Sequence, residues 1–327
     1  MSGFRILVTE PIPKQNIDFL KSVGEVTIGA KGKFSEPDQL SAVLPGFDAL
    51  LCMLSTPVTK DVLNSSPNLK VIANFAVGYN NIDVDTATKL GIKVANTPDV
   101  LTEACGDFAM GLLMATTRRF NEAENYLRNG HFKGWEPLGF LGMELRGKTL
   151  GIIGMGRIGQ SFAMRARAFG MNILYHNRSK LPDQLEKELE CTLISSVKEL
   201  ASKSDVLSIN CPLTKDTHHL INEEILEAMP SHSILINLSR GPVVDEEALA
   251  NALHQQIIWG AGLDVFEKEP EVHPLLLTAP NCTILPHIAS ATFETREAIG
   301  MLAAKAISDV LNGVPDRNIT NLVNPNS

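Results

Sequence analysis

The sequence is poor in several features that would announce particular function classes. Its five cysteines, Cys52, Cys105, Cys191, Cys211 and Cys282, are scattered over 327 residues with no CxxC pair. That excludes a disulfide framework and a cysteine zinc site, and runs such as LLCML and SINCPL read as holding buried, reduced thiols. No HxxxH or paired-carboxylate pattern indicates a metal, so none is expected. Positive charge is in deficit: the formal net charge of −8 disfavours nucleic acid, whose binding needs a basic face to displace counterions. No apolar run reaches the roughly 18 residues of a membrane span, so no membrane partner is expected. The opening MSGFRILVTEP carries no Arg-rich or signal-like presequence, and the closing NPNS no peroxisomal or prenylation address. The expectation is a cytoplasmic protein.

What is present is ordinary globular composition, 44% apolar and 20% charged, on a chain long enough for two cores. Short apolar runs alternate with helical periodicity: RILVTE, DALLCML, KVIANF and IKVANT, then KTLGIIG, NILYHN, DVLSIN, SILINLS, GAGLDVF and CTILPH. Each run is too short for a helix and too continuous for a half-exposed strand. The pattern predicts parallel sheets covered by helices on both faces, an α/β architecture. One long helix is expected from about Thr102 to Asn129. Thr102 and Glu103 supply capping chemistry at its start, Gly106 and Gly111 allow close packing, and Gly130 suits its end. A second helical pattern runs from Ser290 to about Asn312. The chain is therefore expected to cross back, giving an outer domain of residues 1–98 and 290–327 around an inner domain of residues 99–289. The tail after Gly313, with Pro315 and Pro325, reads as loop.

The inner domain opens on KTLGIIGMGRIGQSFAMRARAFGMNILYHNRS. This is a strand, a Gly-x-Gly-x-x-Gly turn at Gly154, Gly156 and Gly159, a helix of about three turns and a second strand. In that setting the glycines provide a tight turn, backbone approach to a pyrophosphate, and close helix–strand packing, with the helix N-terminus facing the phosphate charge. Missing is the acid that usually follows the second strand and accepts hydrogen bonds from the ribose of NAD. Asn177, Arg178 and Ser179 stand there instead. Arg178 can pair with a 2′-phosphate, Asn177 and Ser179 can add hydrogen bonds, and no carboxylate opposes them. NADP(H) is the favoured cofactor, with NAD(H) the weaker alternative in which Arg178 is merely solvated. Lys180 could reinforce the phosphate site or be an exposed surface charge.

Three further segments place ionisable residues at predicted strand ends: INLSRGPVVDEEAL, GLDVFEKEP and ILPHIASAT. Arg240 has the planar fork that suits a 2-oxo acid. His287 follows Pro286, and Glu269 could pair with one imidazole nitrogen and fix its tautomer, as a proton donor to a carbonyl requires. On spacing alone Arg240 could instead cap a carbonyl, Glu269 lie at the surface, and His287 be a satisfied core histidine. The remaining seven histidines, His219 among them, show no comparable setting.

The segments FAVGYNNID, GKTLGIIGMGRIG, CPLT, NLSRGPVVDEEAL, GLDVFEKEP and LPHIASAT occur in the order and spacing of the D-isomer-specific 2-hydroxyacid dehydrogenases. The chain resembles that family over nearly its whole length. The resemblance implies two doubly wound parallel-sheet domains, a Rossmann NAD(P)-binding domain inserted in a flavodoxin-like substrate domain. It implies catalytic roles for Arg240, Glu269 and His287, with Arg240 and His287 also touching substrate. Val77 and Gly78 would receive the substrate carboxylate, and Leu54 and Ser55 would face the substrate. Asp264 would contact the nicotinamide carboxamide, Arg157 and Ile158 join the glycines at the pyrophosphate, and Cys211 and Pro212 of CPLT also line the cofactor. Hinges are expected near residues 96–102 and 289–292, and a homodimer through about residues 102–146. Within the family, the NRS in place of the acid resembles the NADPH-preferring glyoxylate and hydroxypyruvate reductases, so the partner expected is a short 2-oxo acid. Cys105, Gly106 and Ala289 depart from the commonest pattern, small residue for small residue. Two rival readings stay open at this point: an NAD-dependent relative of phosphoglycerate-dehydrogenase type, and a nucleotide-sensing protein similar to the corepressors related to this family.

Overall fold

The computed structural model describes residues 3–325. In chain order the elements are β1 Phe4–Val8, α1 Lys14–Val23, β2 Gly24–Ile28, α2 Pro37–Ser41, β3 Ala49–Cys52, α3 Lys60–Asn64, β4 Val71–Asn74, α4 Val84–Lys89 and β5 Lys93–Ala95. They continue with α5 Thr102–Thr117, α6 Phe120–Arg128, β6 Thr149–Ile153, α7 Arg157–Ala168, β7 Asn172–His176, α8 Asp183–Leu189 and β8 Cys191–Leu193. Then come α9 Val197–Ser202, β9 Val206–Ile209, α10 Glu223–Ala228, β10 Ile234–Asn237, α11 Glu246–His254, β11 Gly260–Leu263, β12 Cys282–Ile284 and α12 Phe293–Leu311. Short polar side chains start several of the helices. Asp83, Ser196, Asn222, Asp245 and Thr292 each accept the backbone N–H three residues on, the N-cap that satisfies an otherwise orphaned donor.

The chain forms two compact units, Met1–Leu101 with Ala291–Ser327, and Thr102–Ser290. Residues 99–101 thus fall with the outer unit and Ser290 with the inner one. The outer sheet has the order β2-β1-β3-β4-β5 and the inner sheet β12-β11-β10-β9-β6-β7-β8, and the strand pairs are parallel. These are the flavodoxin-like and Rossmann orders, whose direction reverses between β1 and β3 in one sheet and between β6 and β9 in the other. A doubly wound sheet collects ligands at that reversal, beyond the carboxyl ends of the strands.

The strands predicted from continuous apolar runs are the buried ones: β3, β4, β9, β10 and β11 are buried at every position. Two strands escaped that signal. β2 and β8 lie at sheet edges, and GEVTI and CTL alternate or expose their side chains rather than forming an apolar run.

The expected single helix over residues 102–129 is two. The Thr117 carbonyl, which a continuing helix would use, accepts the Met143 N–H at 2.9 Å. Arg119 turns left-handed at φ 55° and its guanidinium pairs with Glu122 at 2.6 Å, so the chain restarts as α6. Gly106 does pack closely, because a Cβ there would overlap the Ser161 hydroxyl on α7. Gly111, in contrast, is exposed with open space around it. Gly130 follows α6 at φ 73°, the left-handed end expected of it. The tail after Gly313 is irregular but tied down: Val323 N–H donates to the Val94 carbonyl at 2.7 Å and Asn96 N–H to Asn321 at 3.1 Å, which covers the open edge of β5. All five cysteines are free; four are buried and Cys282 is half-buried. Among the described residues no helix is long and apolar enough to cross a membrane.

Phe162 of α7 is wholly buried in the inner unit. Its truncation to Ala is expected to destabilise that unit by about 3–5 kcal/mol, the usual cost of an aromatic-sized cavity, seen as a lowered urea midpoint.

Candidate active site

The Gly-rich turn leaves the end of β6 at the inner sheet's reversal point. Gly154 has φ 93° and a Cβ on it would meet the Cys211 amide nitrogen at 2.6 Å, so both its conformation and its neighbour across the reversal require glycine. A Cβ on Gly159 would meet the Gly154 carbonyl at 2.6 Å and Ile152 at 3.2 Å, which sets α7 tight against β6. Gly156 differs: nothing lies within 4 Å of where its Cβ would be, and Gly156 and Arg157 are exposed at the first turn of α7. Beside the turn, the buried Oδ1 of Asn210 has no hydrogen-bond partner. An open face at a helix N-terminus next to an orphaned acceptor fits a dinucleotide.

At the end of β7 the structure divides the expected 2′-phosphate residues. Arg178 and Ser179 are exposed. Asn177 serves the turn itself, its Oδ1 accepting the Met155 N–H at 2.8 Å. Lys180 is engaged by Asp183 at 2.7 Å and Glu186 at 3.1 Å, and those carboxylates raise its pKa well above the ordinary lysine value. Its charge is balanced locally.

Three loops at the carboxyl ends of β10, β11 and β12 carry the ionisable residues. His287 sits at φ 53°, a region costly for a residue with a side chain. Its ring Nδ1 lies 2.8 Å from Glu269 Oε2. The other oxygen of Glu269 accepts the Phe266 N–H at 3.1 Å. Burial alone would raise the Glu269 pKa, but His287, the Phe266 N–H and the Arg240 charge together hold it below the ordinary value. Asp264 is fully buried and accepts the N–H groups of Ile288 and Ala289, each at 2.8 Å. Arg240 donates from Nη1 to the Ser239 carbonyl at 2.6 Å, and burial lowers its pKa against the pull of Glu269. Its remaining N–H donors, and Nε2 of His287, have no hydrogen bond among the described residues.

In the outer unit, Leu54 lies in the turn after β3, and Val77 and Gly78 in the segment after β4. The carbonyls of Ala76, Val77 and Gly78 accept hydrogen bonds from Thr97 N–H at 3.0 Å, Asn96 at 2.8 Å and Asn74 at 2.6 Å. In a trans peptide the N–H points opposite to its carbonyl. The N–H groups of Val77, Gly78 and Tyr79 are therefore turned away from these partners, and they donate to nothing among the described residues. Successive free N–H groups of this kind accept an anion.

Two features were not visible from spacing. The asparagines 74, 81 and 96 hold the outer loops, although the N-N of FAVGYNNID was a polar pair at a strand end. His219, read as featureless, pairs through Nε2 with Glu267 at 2.6 Å, and with Asp245 it forms a close group of potential metal-ligating atoms. Glu267 N–H also donates to the buried Glu246 at 2.7 Å, tying the start of α11 to the loop that carries Glu269. Only the folded chain brings residues 219, 246 and 267 together.

Residues 110–289 match the family described as D-isomer specific 2-hydroxyacid dehydrogenase, NAD binding domain. The chain is 44% identical to the glyoxylate reductase of Thermococcus onnurineus (strain NA1) over 98% of both chains. It is 44% identical to that of Pyrococcus furiosus (strain ATCC 43587 / DSM 3638 / JCM 8422 / Vc1) over 92% of this chain and 90% of the relative. Among solved structures it resembles the NADPH-dependent glyoxylate/hydroxypyruvate reductase of Sinorhizobium meliloti in complex with NADP and malonate. There the TM-score is 0.88 and the identity 35%, over 99% of this chain and 98% of that one.

The Glu269 pKa is depressed from 4.5, so the stability it contributes is present above that pH and is lost as pH falls through the lower folded value. In Glu269→Gln the urea midpoint should drop near neutral pH, and the gap from wild type should close as pH falls below the ordinary carboxylate value and through the lowered one. A gap that stays constant across the series would show that ionisation of this carboxylate is not coupled to folding.

Proposed function

The chain belongs to the D-isomer specific 2-hydroxyacid dehydrogenase family, and from that membership we propose that it reduces glyoxylate and hydroxypyruvate to glycolate and D-glycerate, with NADPH as preferred reductant. The observation that carries this reading is the His287–Glu269 pair: Nδ1 is taken at 2.8 Å, leaving Nε2 as the ring atom open to the substrate. A bound reduced nicotinamide supplies a hydride for C2 of the 2-oxo acid. The carbonyl oxygen then carries the displaced electron pair, and His287 Nε2 delivers the proton that makes it a hydroxyl. Arg240 stabilises that oxygen and a carboxylate oxygen through its unpaired donors. Glu269 keeps the ring in one tautomer and balances the imidazolium. Val77 and Gly78 offer their N–H groups to the substrate carboxylate, and Leu54 gives an apolar contact.

For the cofactor, Gly154, Gly156, Arg157, Ile158 and Gly159 receive the pyrophosphate, and Cys211, Pro212 and Asp264 border the nicotinamide half. Arg178 and Ser179 take the 2′-phosphate. The reductase of Sinorhizobium meliloti, described as NADPH-dependent and bound to NADP, supports this preference. NAD(H) serves as the weaker alternative.

Initial rates with NADPH and NADH, side by side, with glyoxylate and with hydroxypyruvate, test the reading. NADPH should be favoured in wild type and the preference lost in Arg178→Asp, because the new carboxylate repels a 2′-phosphate. His287→Ala should lose about 10²- to 10⁴-fold in turnover with cofactor affinity kept. Equal use of both cofactors, unchanged in Arg178→Asp, would remove the NADPH assignment.

We also infer a homodimer. The inner unit exposes Leu127, Phe132, Trp135, Leu138 and Leu141, with Trp135 84% and Leu138 80% exposed, a run of large apolar side chains that calls for a covering surface. Light scattering should give twice the chain mass for wild type and a shift toward the monomer for Trp135→Glu combined with Leu138→Glu. A wild-type monomer would contradict it.

A further inference from the structure

The outer unit holds its two functional loops with side chains rather than with its sheet. The ladder between β3 and β4 ends at the bond from Phe75 N–H to the Cys52 carbonyl, 2.8 Å. Beyond that rung the backbone groups of both loops need other partners. In the first loop the Thr56 N–H donates to the Met53 carbonyl at 3.0 Å, and Asn81 adds Nδ2 donation to the carbonyls of Met53 at 3.1 Å and Thr56 at 3.0 Å. These two carbonyls bracket Leu54. Asn74 serves the second loop, donating to the Gly78 carbonyl at 2.6 Å. The amides also bind each other: Asn74 Nδ2 donates to Asn81 Oδ1 at 3.1 Å. The thiol of Cys52 donates to Asn74 Oδ1 at 3.3 Å, and Asn74 is fully buried.

We propose that Asn74 and Asn81 form a clasp joining the Leu54 turn to the Val77–Gly78 segment, and that this clasp sets the affinity for the 2-oxo acid. The proposal rests on the assignment of Leu54, Val77 and Gly78 to substrate binding made above. The amides of the clasp are spent on the loop carbonyls and on each other, so both asparagines are positioning residues. Their effect follows from peptide geometry. The Gly78 carbonyl is fixed by Asn74, so the Tyr79 N–H in the same peptide is aimed the opposite way, and the Gly78 backbone is held from its C-terminal side while Asn96 holds the Val77 carbonyl before it. Asn81 fixes the neighbouring turn at the same time. Asn74 is the rigid partner of the two, because at a fully buried amide leaving any donor or acceptor unmatched is costly.

The clasp is confined to the outer unit, which separates its readouts. Asn81→Leu keeps the approximate volume and removes the donors without adding charge. It is expected to raise the KM for glyoxylate roughly ten- to a hundredfold, the scale of loss from a small misplacement of binding groups, with kcat changed by less than about threefold. The NADPH dissociation constant, measured by fluorescence titration, should stay at the wild-type value. Asn74→Leu should act alike, and the double variant should raise KM by less than the product of the two single effects, since one clasp can be opened only once.

Wild-type turnover of 2-oxo acids decides the functional reading by itself; an inactive wild type removes that reading and the clasp's role with it. With an active wild type, an unchanged KM in folded Asn81→Leu overturns the clasp. So does a joint loss of kcat and NADPH affinity, which would mark general damage. Should Asn81→Leu fail to fold, Asn81→Ser retains one donor and carries the same test with a smaller KM rise.

Discussion

A histidine held at φ 53° is the constraint around which the reactive end of the inner unit is built. Left-handed backbone at such a residue costs about 1–3 kcal/mol and persists only when its surroundings over-determine it. Here they do. Asp264 takes the next two N–H groups at 2.8 Å each, and the His287 N–H itself donates to the Leu285 carbonyl at 3.1 Å. With the backbone fixed, the ring can meet Glu269, whose second oxygen holds Phe266. Phe266 in turn lies against Gly241, where a Cβ would overlap its backbone, and Gly241 follows Arg240 directly. Three loops from three strands are thus locked by one backbone conformation.

The same arrangement sorts the acids. Asp264 is fully buried and Glu269 lies partly open to water, and their pKa values move in opposite directions: burial raises Asp264 against the two N–H groups it accepts, whereas His287 and the other partners of Glu269 outweigh its partial burial. Carboxyls pushed apart in this way have different tasks. The one beside the imidazole is held below the ordinary carboxylate value and hydrogen-bonds the ring at Nδ1. The other is bound to backbone and shapes the loop. Placing the anion at Nδ1 also settles which nitrogen faces outward, something no inventory of titratable residues could supply.

How much of this was legible in the sequence depended on the range of the interaction. The strands with both faces covered stood out as apolar runs, and the Gly-rich turn, Arg240, Glu269 and His287 were placed by their positions after those runs. Strands β2 and β8 lacked the pattern because most of their side chains lie wholly or partly open to water. The break after Thr117 was hidden because its cause, a bond from Met143, comes from a residue distant in the chain. Likewise Gly111 looked like a packing residue, and only the fold shows open space beside it. The asparagine clasp and the Glu246–Glu267–His219 links also depend on side chains that meet only after the strands pair. The sheet ends can be read from periodicity, but the hydrogen bonds that steady their loops cannot.

Cofactor choice shows how a local brace and a specificity element can share one side chain. Asn177 Oδ1 accepts the Met155 N–H at 2.8 Å and so holds the Gly-rich turn. An Asp at this position could hold that N–H equally well through one oxygen. The difference lies in the other arm: a carboxylate would present a second anionic acceptor, suited to a ribose hydroxyl and repelling phosphate, whereas the amide presents N–H donors. In the reading proposed here, the turn keeps its brace while the exposed arm changes from acceptor to donor. Lys180 adds little to that choice, since Asp183 and Glu186 already balance it. The exposed positive charge at the end of β7 is therefore that of Arg178, and in the proposed reading discrimination between the two nicotinamide cofactors rests on that guanidinium together with the missing carboxylate.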